Sequence, residues 1–540
     1  MHALRFDKPA ILSRIALAMA VSLPVPAAFA DAVTDWNQYS ILATKGATSP
    51  TTGNAAIALN TNVATRIHAI VARAVFDAVN AINHFSPASY YSSPTPVGTV
   101  TANSVAAAAA QAAHDVLLGA LPNNANWTAT RTWLDSQLSD YLSVTLGVTP
   151  ADPGIGVGQA AAAAALAARA GDFSAPRTTY TPSTNLSINT SVTPNTVVPN
   201  ATGNPGPGVW RPTNSGAGDV DPLTGAPTGF SGGVIQPAAG IDFNWKNVTP
   251  FSLTTLKKQQ LVAAVPPSLK LSSDPNSEYQ KELAFVRSHG QDSAHPGSRT
   301  GDQTLQALYY KSDAELFVNE AARIASSARG LTLNQNAKLF ALLDSALADA
   351  RIAAYQSKYD LVFWRPVTAL NADASGNVAS YDWKPLAATP AHPSSTAGHS
   401  TTGAAGAEIL RSFFGSDQIQ PGGAPVTLTT IPWLIGTNNG TGRANPPIGG
   451  KDGTTRDVST FSQIQLENGR SRLYLGVHFG NDDYQGQWLG LALADAILKA
   501  HTDPASAGVS IFTGGPTVAS APHLYSLFVT NSAVSGFYGP

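Results

Sequence analysis

Two arginines, a lysine and two histidines fall in three short segments: Lys358-x6-Arg365-Pro366, Ala397-Gly398-His399-Ser400 and Ser471-Arg472-x5-His478. Arginine offers a planar, permanently charged fork of donors that matches the oxygens of a phosphate-like group. Lysine adds a compact point charge. Glycine lets the backbone approach a ligand closely, so that its N–H can donate. One imidazole can bond the central atom of a tetrahedral oxyanion, and a second can move protons near neutral pH. Together these residues describe a site for phosphate or vanadate, neutralised by three cations. Taken singly, Lys358 reads as a solvated helix residue, Arg365 as a helix-end cation, Arg472 as surface charge and His478 as a core histidine. Three ordered motifs with both internal spacings kept outweigh those readings.

The spacings say which elements must hold the site. Seven residues are about two helical turns, so Lys358 and Arg365 share a face if both are helical. Pro366 would then end the helix and leave Arg365 at its C-terminal mouth. Six residues do not return to the same face, so a bend near Gly476 is expected between Arg472 and His478. Val63, Ile67, Ile70, Val71, Val75, Phe76, Val79 and Ile82 follow helical spacing. Further helices are expected near 101–120, 127–146, 157–171, 302–328 and 332–364, the last capped by Thr332 or Asn334. Others are expected near 399–415, 458–475 and 483–501. Strand patterns are few, so the fold class is all-α.

Residues 172–240 are rich in Pro, Thr, Asn and Gly and read as a long ordered surface loop. A second Gly- and Pro-rich stretch, 416–457, joins the second motif to the third and is placed to cover the mouth of the site. The expected organisation is an N-terminal helical region over 31–300, a C-terminal bundle carrying the site over 301–502, and an irregular tail over 503–540. Residues 1–30 read as a secretory signal: Arg5, Lys8 and Arg14, then an apolar stretch, then Ala28-Phe29-Ala30 before Asp31. The apolar stretch is too short to span a bilayer, so no membrane anchor is expected once the signal is removed. The 540 residues carry a formal net charge of −2, with 12% charged residues and no basic block, which argues against a nucleic-acid partner. There is no cysteine, and a chain this long can build its core without disulfides.

The three motifs resemble the vanadium-dependent haloperoxidases and the acid phosphatases of the phosphatidic-acid-phosphatase type 2 superfamily, which share one site design. The segment from Arg66 through Asp77 and Asn80, and Arg299-Thr-Gly-Asp302-Gln303-Thr followed by Tyr309 and Tyr310, extend the resemblance from about Trp36 to about Leu498. It implies two packed helical bundles with the site in the C-terminal one. It implies that Lys358, Arg365 and Arg472 hold vanadate oxygens and that Gly398 donates its N–H. His478 would be the ligand on the metal, and His399 the acid–base residue that assists peroxide binding. The chain departs from the family at Ala397, where Ser is usual. A lost donor costs about 1–3 kcal/mol unless something replaces it, and Ser395, Thr396 or a water are the candidates. His392 stands in a slot that carries His in bromoperoxidases and an aromatic in chloroperoxidase, which favours bromide or iodide.

Asp302 or Asp313 is expected to pair with a site arginine and orient it. His68, His114 and His501 read as structural, as do Asp77 and Asn80. The resemblance implies an exported haloperoxidase-like enzyme that uses vanadate, hydrogen peroxide, a halide and a small organic acceptor. Both methionines, Met1 and Met19, lie in the expected signal, so the mature chain would hold no sulfur for such oxidants to attack. Two alternatives use the same residues. An acid phosphatase would form a phosphohistidine at His478, with His399 protonating the leaving group. A non-catalytic protein would bind the oxyanion without turnover.

Overall fold

The apolar stripe from Val63 to Ile82 folds as the helix Thr61–Asn83, capped by Asn60 and ended by His84 in the left-handed conformation (φ 48°). The computed structural model describes residues 31–46, 58–180, 186–189, 196–199, 205–212, 240–292, 295–379, 382–430 and 454–502. Within them the chain is all-α. The β-structure comprises two antiparallel ladders, Leu186–Asn189 with Thr196–Pro199 and Val426–Thr429 with Thr455–Val458. The expected signal, much of the 172–240 loop, residues 431–453 and the 503–540 tail lie outside the described residues.

Local chemistry sets the helix ends. Thr332 caps the 29-residue helix Leu333–Leu361 through a capping box: its N–H donates to Gln335 Oε1 at 2.9 Å, and its hydroxyl accepts the Gln335 N–H. The motif at Arg299 works the same way, with Thr300 and Gln303 forming the box that starts the helix Gly301–Tyr309. The single helix expected over 302–328 is two, Gly301–Tyr309 and Ala314–Ala328. At the break the Ser312 hydroxyl donates to Tyr309 O at 2.7 Å, closing off the first helix. Three helices carry no strong apolar period and were not expected: Ala32–Thr44, Thr255–Ala263 and Glu278–His289.

The helices Ala32–Thr44, Thr61–Asn83, Ala102–Ala120, Thr128–Asp140 and Pro153–Arg169 form one group. Ala314–Ala328, Leu333–Leu361, Gly398–Phe414, Phe461–Tyr474 and Gly480–Thr502 form the second. Leu333–Leu361 lies against Thr61–Asn83 on one side and Gly398–Phe414 on the other, so one apolar core runs through both groups. Small residues let the site helices meet closely. A Cβ on Gly486 would fall 2.6 Å from Ala397 O, and one on Gly490 would fall 2.3 Å from Thr401 O. That approach brings the start of Gly398–Phe414 to the start of Gly480–Thr502, where the Ala397 N–H donates to Asp482 O at 3.0 Å.

Candidate oxyanion site

Lys358, Arg365 and His478 come together at the ends of four helices, and each is buried (0%, 0% and 2% exposed). Lys358 sits in the last turn of Leu333–Leu361, and its ammonium donates to Pro393 O at 3.0 Å and Ser394 O at 2.9 Å. Arg365 is not on that helix, contrary to the expectation from spacing. The helix ends at Leu361, with Val362 in the left-handed conformation (φ 50°). Arg365 is extended (φ −89°, ψ 156°), and Pro366 begins the short helix Pro366–Asn371 rather than ending a long one. The physical reason is that the residue before proline is pushed out of the helical region, while proline itself suits the first helical position. The bend between Arg472 and His478 falls at Gly476, whose φ is +75°.

The His478 ring is held from both sides. Its Nδ1 lies 3.1 Å from Asp482 Oδ2, and its Nε2 lies 3.0 Å from Arg365 Nη1. A carboxylate can only accept here, and a guanidinium can only donate. The network therefore assigns the proton to Nδ1 and the lone pair to Nε2. Asp482 Oδ2 also accepts from the Ser394 hydroxyl and the Phe479 N–H, which fixes the carboxylate. Arg365 spends its other donors on His392 O at 3.0 Å, Val477 O, and His392 Nδ1 at 3.0 Å. His392 thus stands at the site, in contact with Arg365.

Arg472 differs from Arg365. It is 5% exposed, yet its Nε and Nη1 meet no hydrogen-bond partner. Unsatisfied buried charged donors cost several kcal/mol, and a bound anion would remove that cost. The helix Gly398–Phe414 begins with no side-chain cap at Ala397, so its first N–H groups are also available. Two cationic side chains reach Gly398: a Cβ there would lie 2.9 Å from Arg351 Nη1 and 3.9 Å from Lys358 Cε. These are the features of a cradle for a tetrahedral oxyanion, and the donor set fits vanadate or phosphate equally. His399 Nε2 lies 3.1 Å from Ser312 O, the carbonyl exposed by the break between Gly301–Tyr309 and Ala314–Ala328.

Burial, then the neighbouring cations, sets the protonation of the site. The imidazoles of His392, His399 and His478 are all held well below the ordinary histidine range by burial. For His399 the next cause is Arg472, and for His478 it is Arg365. Burial and then Arg365 push Lys358 well down. Arg472 is pushed down to about 9 by burial and then by Arg365. A bound anion would oppose each of these shifts.

Two residues of the site carry no mark in the three motifs. Asp482 lies four residues after His478, the reach of a single helical turn. Arg351 lies seven before Lys358, about two turns back along the same helix. The two acids expected to orient an arginine do other things. Asp302 pairs with Arg456 at 2.5 Å, and its side chain is 69% exposed. Asp313 pairs with Lys45 at 2.5 Å, which overrides burial and lowers its carboxyl. Neither forms an ion pair with Arg365 or Arg472, although the charge of Asp313 is felt at Arg472 and His399; the carboxylate that orients a site side chain directly is Asp482, and it acts on the histidine. Ser395, a candidate to replace the missing hydroxyl at 397, donates to Gln485 Oε1, whereas the buried Thr396 hydroxyl has no partner. His68 contacts Thr44 Oγ1 at 2.8 Å and His114 lies between Asp115 and Asp135. The side chain of His501 lies outside the described residues.

Residues 338–506 match the family model described as the VCPO second helical-bundle domain. Over 259 residues the chain is 25% identical to the vanadium chloroperoxidase of Curvularia inaequalis. That match covers 41% of this chain and 42% of the relative, so it spans less than half of either protein. Among solved structures the fold is similar to the first bacterial vanadium-dependent iodoperoxidase (TM-score 0.58, 19% identity, 87% of this chain and 95% of that one). It is also similar to a holo-type bacterial vanadium-dependent chloroperoxidase (TM-score 0.53, 16% identity, 82% and 92% covered).

Proposed function

We propose that this chain, which belongs to the superfamily of vanadium haloperoxidases and phosphatidic-acid-phosphatase-type enzymes, is an exported vanadium-dependent haloperoxidase that oxidises bromide or iodide with hydrogen peroxide. The observation that carries this reading is the pairing of two opposites. Arg472 holds buried donors with nothing to bind, in the same cluster as His478 Nε2, whose lone pair accepts from Arg365 and would pass to an electrophilic centre once a bound anion took up that donor. Lys358, Arg365, Arg472 and the N–H of Gly398 would hold the oxygens of vanadate, and His478 would be its protein ligand. Vanadate, when bound, would supply a Lewis acid that activates hydrogen peroxide.

The residues supply the rest. Asp482 keeps the His478 proton on Nδ1 and so keeps the lone pair on Nε2. His399, neutral because it is buried beside Arg472, can accept a proton from incoming peroxide and later return it. His392, whose Nδ1 accepts from Arg365, would set a polar ring beside the halide, which favours bromide or iodide. A small organic acceptor would take the oxidised halogen. The test is a vanadate titration of halogenation with the native chain and with His478→Ala. Activity that requires vanadate and is lost in the variant supports the reading, and full activity in His478→Ala contradicts it.

A further inference from the structure

We propose that Arg351 is a fourth cation of this oxyanion site and binds the ligand directly, filling the place left by the missing hydroxyl at position 397. The proposal rests on the oxyanion reading above and adds a residue that the three motifs do not contain. Its first support is position. The guanidinium reaches Gly398 so closely that a Cβ there would lie 2.9 Å from Arg351 Nη1, with Lys358 Cε at 3.9 Å from the same point. Arg351 and Lys358 therefore both lie against Gly398 on the side a Cβ would occupy. The charge of Arg351 is also felt at Lys358, His399 and Arg472, which are themselves site residues.

The second support is what Arg351 lacks. It is 7% exposed and forms no salt bridge among the described residues. Its Nε donates to a neutral group, Asn62 Oδ1, at 3.0 Å. The carboxylates around it are committed elsewhere. Glu315 lies 2.9 Å from Lys45, while Asp242 pairs with Arg177 at 2.5 Å and accepts from Asn62 Nδ2 at 2.9 Å. An arginine kept for structure would be expected to hold one of those acids. Instead Nε is anchored to the N-terminal helix group through Asn62, and the Nη1 end is left at the cradle. The site then gathers Arg351, Lys358, Arg365 and Arg472 with Asp482, which faces His478; the other acids felt there, Asp313 and Glu315, share Lys45. Such an excess of buried positive charge calls for a multiply charged anion.

Position 397 explains why a fourth cation would be needed. Ala397 cannot donate from its side chain and Ser395 is spent on Gln485, which leaves the unpartnered Thr396 hydroxyl as the rival donor. A guanidinium N–H is a stronger donor to an oxyanion than a hydroxyl, because the hydrogen bond is charge-assisted.

The experiment is calorimetric binding of orthovanadate, and separately of inorganic phosphate, to the native chain, Arg351→Gln, Arg351→Lys, Thr396→Val and Arg351→Gln/Ala397→Ser. The thermal midpoint of each ligand-free variant serves as the folding control. The expected results are a loss of affinity of tenfold or more in Arg351→Gln, an intermediate loss in Arg351→Lys, which keeps the charge, and partial recovery in the double variant. Thr396→Val should change affinity by less than threefold. Native-like affinity in Arg351→Gln overturns the role of Arg351 and leaves the oxyanion site standing. So does a tenfold loss in Thr396→Val with none in Arg351→Gln. If the native chain binds neither anion, the oxyanion reading itself falls, and this inference with it.

Discussion

Asp482 shows how much a single residue decides at this site. The His478 imidazole serves as a ligand or nucleophile through Nε2 only when its lone pair sits there, and Asp482 fixes that by accepting a hydrogen bond from Nδ1–H. Asp482→Asn can donate an N–H where the carboxylate accepted, so it favours the wrong tautomer. Partners that orient a ligating histidine are worth about 10–100-fold in affinity. Orthovanadate affinity in Asp482→Asn should fall by that range with the fold retained, as measured by calorimetry and circular dichroism; unchanged affinity would show that Asp482 does not set the tautomer. The motif residues were legible in the sequence because their chemistry lies in residue type and spacing. Asp482 and Arg351 were harder to find, because a lone Asp or Arg is usually a surface charge and only the fold shows which way it reaches. Asp302 and Asp313 illustrate the same limit, since both were plausible orienting acids by type and both pair with other cations.

At the scale of elements, the site depends on how closely the helices Gly398–Phe414 and Gly480–Thr502 approach. Gly486→Ala should in isolation favour the helix by about 1 kcal/mol. In place, its Cβ would fall 2.6 Å from Ala397 O and 2.7 Å from Ser400 Cβ, and backbone cannot yield as a flexible side chain can. Overpacking of this kind costs about 1–3 kcal/mol, so the crowding wins. Urea unfolding should show Gly486→Ala less stable than the native chain, and a more stable variant would mean that the helices are further apart. The apolar stripe of Thr61–Asn83 made that helix legible. Ala32–Thr44 was not, because it buries Asn37, Ser40 and Thr44 along with its apolar residues. Asn37 donates to Asn319 Oδ1 at 2.9 Å and Ser40 to its own helix, so burial there follows hydrogen bonding rather than hydrophobicity. The extended Arg365 was misplaced for a different reason. Spacing by sevens is shared by helices and by many irregular turns, and the proline that follows it can end one helix or start another.

Across the whole molecule, one apolar core joins the two helix groups, and buried polar networks cross it. Asp344 is one node, accepting from Asn319 Nδ2 at 2.9 Å and Asn37 Nδ2 at 3.3 Å. Burial pushes its carboxyl up to about 7. A raised carboxyl stabilises the fold fully below its ordinary value of about 4, and that contribution is lost as pH rises through about 7. Asp344→Asn removes this dependence. Its stability relative to the native chain should therefore improve from about pH 4 to about pH 7 and then level off in urea unfolding, and a constant or opposite difference would contradict the assignment. The all-α class was legible because strand patterns are few, whereas the Pro- and Gly-rich 172–240 stretch carries no period from which its course could be read. The central claim concerns what the assembled site does with a bound oxyanion. It is tested most directly by titrating orthovanadate into the metal-free protein with hydrogen peroxide and bromide or iodide, following dye halogenation and phosphomonoester hydrolysis in the same samples. Halogenation that rises with vanadate and saturates is the predicted result. Phosphoester hydrolysis that falls with vanadate, with no halogenation at any concentration, would contradict it.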